Sequence, residues 1–308
     1  MKVLFVSSGN SAGGISPIVL NQGESLRSYG IDVKYYTICG KGLKGYLKSI
    51  PDLRKIWKKG SFDAVHAHYS LSAMTASLSG CHPLVVSLMG SDVMAKGLWR
   101  LIIRLFYHFF WTTCIVKSNG MKEKMGLSKV EVIPNGVDCN VHQPLDKEDC
   151  LEKLGWDKGR RHILFAADPK RYEKNFNLAK TACDLLNIPD IEMKIVTGVP
   201  NKDMPIFYNA ADVVLMTSRW EGSPNVIKEA MACNAPIVST NVGDVKWILG
   251  NTSNCFLAAP EPYDVAHKIN KSLQGCTKTN GRERIFSLHL DAASVAEKIT
   301  RIYRQNGV

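Results

Sequence analysis

The chain has 308 residues, with 39 Lys and Arg against 28 Asp and Glu, a formal charge of +11. Apolar types make up 45% and charged types 22%, a globular balance, and the length suggests about two domains. A wholly disordered chain and a disulfide-stapled miniprotein are excluded, and with no run of about 18 uncharged apolar residues no spanning helix is expected.

Met1–Ser8 has an apolar run too short for a secretory leader and reads as a first strand. Short β-branched runs then alternate with amphipathic stretches. Strands are predicted at Val3–Val6, Asp32–Tyr36, Ala64–His66, Leu84–Ser87, Thr113–Val116 and Val130–Ile133, with helices such as Pro17–Tyr29 and Leu71–Leu78 between them. A polar, proline-containing stretch at Asp138–Lys147 breaks the pattern. It restarts with strands at Ile163–Ala166, Met193–Val196, Val213–Met216 and Ile237–Ser239, and a last helix is predicted at Ala292–Arg304. Strand–helix alternation implies parallel sheets covered on both faces. The expectation is an α/β protein of two doubly wound domains, residues 1–146 and 147–291, with residues 292–308 a candidate to cross back to the first. The crevice between the domains is the expected site.

Nine cysteines (39, 81, 114, 139, 150, 183, 233, 255 and 276) are scattered without a C-x-x-C pair, which argues for reduced thiols in a cytoplasm and against a zinc site. Residues 1–146 carry 17 Lys and Arg against 9 Asp and Glu, so the first half holds +8 of the +11. The excess gathers at Lys41, Lys44, Lys48, Arg54, Lys55, Lys58 and Lys59, and at Arg100 and Arg104. Solvated helix faces, nucleic acid and an anionic membrane surface all fit such a cluster.

The run Ser218–Ala232 follows a strand, and Gly222 and Pro224 mark a turn into a helix. Such a start leaves the amides of Ser223, Asn225 and Val226 aimed outward, an anion pocket suited to phosphate. A carboxylate beside it, Glu229, makes sense as a grip on hydroxyls such as those of a ribose. An ordinary helix with acidic neighbours is the plainer alternative.

This run resembles the signature of the retaining glycosyltransferases of the group 1 family (family four), which have the GT-B fold. Five further stretches match in order: Met1–Gly14, Asp63–Tyr69, Val86–Asp92, Val132–Asp138 and Leu164–Asn175. The resemblance implies GT-B architecture, two Rossmann-like domains facing a central cleft. It implies transfer of a sugar from a nucleotide-diphosphate donor to a hydroxyl acceptor, with retention. The donor is expected on the second domain, and a saccharide or lipid-linked acceptor on the first.

Residue by residue, Glu221 matches the family glutamate that contacts the donor sugar, and Glu229 the one that grips the ribose. Ser223, Pro224, Asn225 and Val226 lie where the helix start covers the diphosphate. Lys174 matches a phosphate-contacting lysine, and Arg171 or Lys170 is a candidate to stand in for the partner arginine, whose usual position holds Asp168 and Pro169. Such cations would neutralise a departing diphosphate. Gly13 and Gly14 let backbone approach a ligand closely, or simply form a strand–helix turn. His68, Ser91, Asp92 and Asn135 complete the candidate substrate contacts. Asp92 either binds an acceptor hydroxyl or caps a helix. Met89 stands where the family often has histidine, and a thioether cannot shuttle a proton.

There is no D-x-D pair, and no metal or cofactor is expected. Basic and apolar residues interleave in Gly42–Lys59, predicted as a helix broken at Pro51, and in Leu98–Trp111. This suits a peripheral site on an anionic membrane, at the cytoplasmic face, provided the apolar residues are not core. No nucleic-acid module is recognisable. The competing readings are a catalytically inactive nucleotide-sugar binder and another GT-B enzyme, such as an epimerase or phosphorylase. Cell-surface polysaccharide or glycolipid synthesis is the expected setting.

Overall fold

The computed structural model describes residues 1–10, 14–40, 42–90, 92–93, 97–127 and 130–307. Gly13 and Ser91 lie outside the described residues. The chain divides into two compact units, one of Met1–Gly136 with Ala292–Val308 and one of Val137–Asp291.

The first unit runs β1 (Lys2–Ser8), α1 (Pro17–Arg27), β2 (Asp32–Ile38), α2 (Gly42–Lys48), α3 (Ile50–Lys59), β3 (Ala64–His68), α4 (Ser70–Leu78), β4 (Leu84–Ser87), α5 (Leu98–Phe110), β5 (Thr113–Val116), α6 (Asn119–Met125) and β6 (Val130–Val132). Its six strands are all parallel, in the order β2-β1-β3-β4-β5-β6. Parallel neighbours need crossovers, and the helices supply them. The central strands β3 and β4 are buried along their whole length, as a sheet covered on both faces requires. The chain steps from β1 outward to β2, then returns to place β3 on the other side. The switch point therefore falls between the carboxyl ends of β1 and β3.

The second unit runs α7 (Lys147–Leu154), β7 (Arg161–Phe165), α8 (Phe176–Asp184), β8 (Ile191–Ile195), α9 (Met204–Ala210), β9 (Val213–Met216), α10 (Asn225–Ala232), β10 (Ile237–Thr240), α11 (Val245–Leu249), β11 (Cys255–Ala258), α12 (Pro262–Leu273) and α13 (Gly281–Ser287). Its parallel sheet has the order β11-β10-β9-β7-β8, so its switch point lies between β7 and β9. The helices are locally encoded. Asp146 caps α7 by accepting from the amides of Glu148 (2.9 Å) and Asp149 (3.1 Å), and Gly155 closes it in the left-handed region at φ +61°.

The last helix, α14 (Ala292–Gln305), packs in the first unit. Val295, Ala296, Ile299, Ile302 and Tyr303 are buried against Val3, Phe5, Leu26 and Ile133. Each large apolar side chain contributes about 1.5–3 kcal/mol on full burial, enough together to dock a terminal helix. The Tyr303 hydroxyl also lies 2.6 Å from His66 Nδ1, beneath β3.

Three sequence expectations change. Strand β11 was not predicted, because Cys255–Ala258 is a four-residue run on a half-exposed edge. The break within 42–59 falls at Ser49 rather than at Pro51, because proline fits the first turn of α3. Many apolar residues of the two basic segments are core rather than surface. Leu53 and Ile103 are fully buried, and Ile56, Trp57, Trp99, Ile102 and Phe106 pack on the same cluster. The exposed stripe of α5 is a different one, Leu98, Leu101, Leu105 and Phe109. Among the described residues no helix is long and apolar enough to cross a membrane.

Candidate active site

The loops after β7 and β9 meet at the switch point of the second sheet, where several hydrogen bonds hold them together. Thr217 Oγ1 donates to the carbonyls of Lys174 and Asn175, both at 3.1 Å. The amide of Arg219 donates to the carbonyl of Glu173 at 2.8 Å. Within this frame Lys174 Nζ donates to Glu221 Oε1 at 2.6 Å, and Ser218 Oγ donates to the same oxygen at 2.9 Å. Both charged side chains are mostly buried, at 16% and 17% exposure, so water screens the pair weakly. Their attraction is what a carboxylate and an ammonium achieve before any ligand is present.

Helix α10 begins directly after this loop. Pro224 is its N-cap residue and no side chain caps the helix, so its first-turn amides keep the partial positive charge of a helix start. The side-chain oxygen of Asn225 is buried without a hydrogen-bond partner among the described residues. Glu229 sits four residues on, about 6 Å along the axis at 1.5 Å per residue. Its carboxylate is held on both oxygens: Oε1 accepts from Asn201 Nδ2 at 2.8 Å and Oε2 from the Tyr208 hydroxyl at 2.7 Å. Burial, and then Glu229 itself, push the Tyr208 phenol well above its ordinary range, so it stays a donor. A carboxylate fixed this way keeps spare lone pairs for incoming hydroxyls.

Lys174, Glu221, Ser223, Pro224, Asn225, Val226 and Glu229 thus share one loop-helix-loop frame in the second unit. Arg171 does not join them. Its guanidinium pairs with Glu173, Nε to Oε1 at 2.7 Å, and its side chain is 57% exposed. A neighbouring cavity of about 660 Å³ opens at the carboxyl ends of β9, β10 and β11, with Ser218, Arg219, Thr240, Lys246 and Leu257 among its walls. It contains neither glutamate nor Lys174.

The first-unit candidates lie at carboxyl ends of strands. Gly14 follows β1 at φ +76°, a left-handed conformation that glycine adopts without strain. His68 ends β3, between the rings of His66 (4.5 Å) and Phe5 (4.7 Å). Burial, with Lys117 nearby, lowers His68 to about 3, so it is neutral at pH 7. Neither of its ring nitrogens has a hydrogen-bond partner among the described residues. Asp92 is committed to the backbone: its carboxylate accepts from the amides of Ser70, Met89, Gly90 and Val93. It shapes the turn after β4 and holds the start of α4. Asn135 lies in the segment after β6. Among the described residues no three His, Cys, Asp or Glu side chains gather as a metal-ligand set.

Sequence reasoning gave no role to Ser218, which donates to Glu221, or to Asn201 and Tyr208, which hold Glu229. Ser218 carried a signal in its place three residues before Glu221. Tyr208 and Asn201 had none, since their role arises only where α9 and the loop after β8 approach α10.

Comparison with known proteins places the chain in a family. The model of the glycosyl transferases group 1 matches residues 163–275, and that of glycosyltransferase family 4 matches residues 12–141. The chain belongs to this family of retaining, GT-B enzymes. It is 27% identical over 258 residues to the UDP-Gal:alpha-D-GlcNAc-diphosphoundecaprenol alpha-1,3-galactosyltransferase of Escherichia coli, covering 68% of this chain and 66% of that protein. Sucrose-phosphate synthase of Thermosynechococcus elongatus has a similar fold, with a TM-score of 0.83 at 15% identity over 99% of this chain and 98% of that one. HepE of Anabaena, solved with UDP-glucose, gives a TM-score of 0.77 at 18% identity over 99% of this chain and 100% of that one. The chain spans about three fifths to two thirds of the length of several curated relatives.

Proposed function

We propose that the protein transfers a sugar, with retention, from a nucleotide-diphosphate sugar to a hydroxyl acceptor in the synthesis of a cell-surface polysaccharide or glycolipid. The observation that carries this reading is the Lys174–Glu221 pair beside the uncapped start of α10, with Glu229 one turn further along. The diphosphate sits on the α10 start, Glu229 takes ribose hydroxyls, and Lys174 leaves Glu221 for phosphate. Glu221 is then free to accept from hydroxyls of the donor sugar. As the glycosidic bond breaks, negative charge grows on the departing phosphate, and Lys174 and the helix start stabilise it most at that point. The departing phosphate oxygen takes the proton of the acceptor hydroxyl, which attacks from the same face. No separate base is then required, which suits a chain with Met89 in place of an imidazole.

Because HepE and the E. coli relative are named with UDP-sugars, UDP-glucose and UDP-galactose are the first donors to test. A matching donor at a hundred times its Kd stabilises the protein by about 2.7 kcal/mol, a readily measured rise in melting temperature. Screening UDP-, GDP- and ADP-sugars should identify one donor, and chromatography should show transfer of its sugar to a saccharide or lipid-linked acceptor. A shift without transfer or release of nucleoside diphosphate would instead favour the inactive binder. If none of the three classes shifts the melt, the reading fails.

The same reading places the protein peripherally on the cytoplasmic face of an anionic membrane. Leu98, Leu101, Leu105 and Phe109 form one exposed apolar stripe on α5, beside Arg100 and His108, while Arg104 in the same row donates to the Met125 carbonyl. An amphipathic face next to cations suits a headgroup layer, with each Lys or Arg near the surface worth about 1 kcal/mol. Vesicles with a third of anionic lipid should sediment the protein, neutral vesicles should not, and L101D/L105D should weaken the effect. Equal sedimentation with both would remove the membrane site.

A further inference from the structure

Lys228 lies on α10, one residue before Glu229, and is wholly buried. A positive group inside the positive end of a short helix is doubly unfavourable, through lost hydration and through the helix field. Yet its ammonium reaches forward to the loop, where Nζ donates to Ser223 Oγ at 3.1 Å. Asp244 offsets the charge from the turn after β10 and is itself buried. Burial lifts the Asp244 carboxyl to about 6 against the pull of Lys228 and Ser223, and Glu221 raises it further. Among the described residues no hydrogen bond of ordinary geometry reaches either of its oxygens, although Ser223 lies near enough to pull on the carboxyl. The same turn presses on the loop from behind: a Cβ on Gly243 would meet the carbonyl oxygen of Gly222 at 2.7 Å and that of Glu221 at 3.0 Å. Residues 221–223 are therefore clamped between the Gly243–Asp244 turn and the Lys228 ammonium.

We propose that Lys228 is a positioning residue for the donor diphosphate: through Ser223 it fixes the Glu221–Pro224 loop so that the α10 amides face the phosphates. Lys228 touches no substrate in this role, and the inference rests on the donor reading above. Asp244 serves only to make the buried ammonium tolerable. Asp244 offsets the Lys228 charge through its field, and buried opposite charges add little to stability compared with neutral groups of similar shape, which is a reason to look for their use in conformation.

The test measures binding of UDP, GDP and ADP, and of the matching nucleosides, by calorimetry. The variant K228M/D244N removes both charges and retains the volume. It should melt close to the wild type and bind the preferred nucleoside diphosphate at least about tenfold more weakly, with nucleoside affinity unchanged within about twofold. A merely structural role would weaken both ligands together or neither. If the double variant does not fold, S223A, which breaks the Lys228 contact and leaves both charges in place, gives the same comparison. Equal diphosphate affinity in variant and wild type overturns the role of Lys228 alone. Wild-type protein that binds none of the three diphosphates overturns the donor reading, and this role with it.

Discussion

Replacing Lys174 by methionine should lower the rate of sugar transfer about 10²–10³-fold, the usual loss when one preorganised charge is taken from a developing anion. The loss should fall mainly on kcat, because the phosphate gains charge on leaving and Lys174 matters most then. Glu221→Ala should cost transfer on a similar scale while the protein keeps its fold. The reason for a mild structural effect is local. The pair is mostly buried, at 16% and 17% exposure, but Ser218 still donates to Glu221 when Lys174 is gone. The two losses should not add. Each variant releases the other side chain from a 2.6 Å contact, so the double variant should be only slightly worse than either single one. Steady-state rates and melting temperatures of the three proteins check this. A Lys174→Met enzyme working at the wild-type rate would remove this pair from the chemistry.

The second large effect is expected at Glu229, and it combines stability with binding. Glu229→Ala strips the acceptor from the Tyr208 hydroxyl and from Asn201 Nδ2. Tyr208 is 1% exposed, so water cannot easily replace the lost partner. A buried donor left unsatisfied costs about 1–3 kcal/mol, visible as a lowered melting temperature. Hydrogen bonds to a charged group contribute about 1.5–3 kcal/mol, so losing the ribose grip should raise the donor KM about 10–100-fold. Tyr208→Phe separates the two effects. It removes the hydroxyl but leaves the carboxylate, with Asn201 still holding it, and so should lower stability with a much smaller change in KM. Equal KM changes in the two variants would mean that Glu229 acts through the packing around α9 rather than on the donor.

The run Ser218–Ala232 was legible because its information is local. Glycine and proline mark a turn, the apolar spacing of Val226, Ile227, Ala230 and Met231 marks a helix, and the structure indeed ends β9 at Met216 and starts α10 at Asn225. Arg171 shows the limit of that kind of reading. It lies three residues from Lys174, yet the Tyr172–Lys174 turn sends it to Glu173 and to solvent. Asp92 shows another limit. Its type and position suited either an acceptor hydroxyl or a helix cap, and four backbone amides converge on it because the turn after β4 folds back toward α4. In α5, the spacing of apolar residues marks a helix without saying which of two apolar stripes meets the sheet. Packing against the Leu84–Val116 region decided it, burying Ile103 and leaving Leu101 and Leu105 outside.

The sequence by itself determined the α/β class, ten of the strands and the strand-to-helix turn that opens α10, because periodicity and turn chemistry act over a few residues. Only the tertiary structure decided that β9 lies beside β7, which is what brings Glu221 to Lys174 across 47 positions. It also decided that Tyr208 and Asn201 fix Glu229, and that Tyr303 meets His66 across 237 positions. Such pairings depend on strand order and on which faces find cover, and those are settled by burial over the whole sheet rather than by any short run of residues.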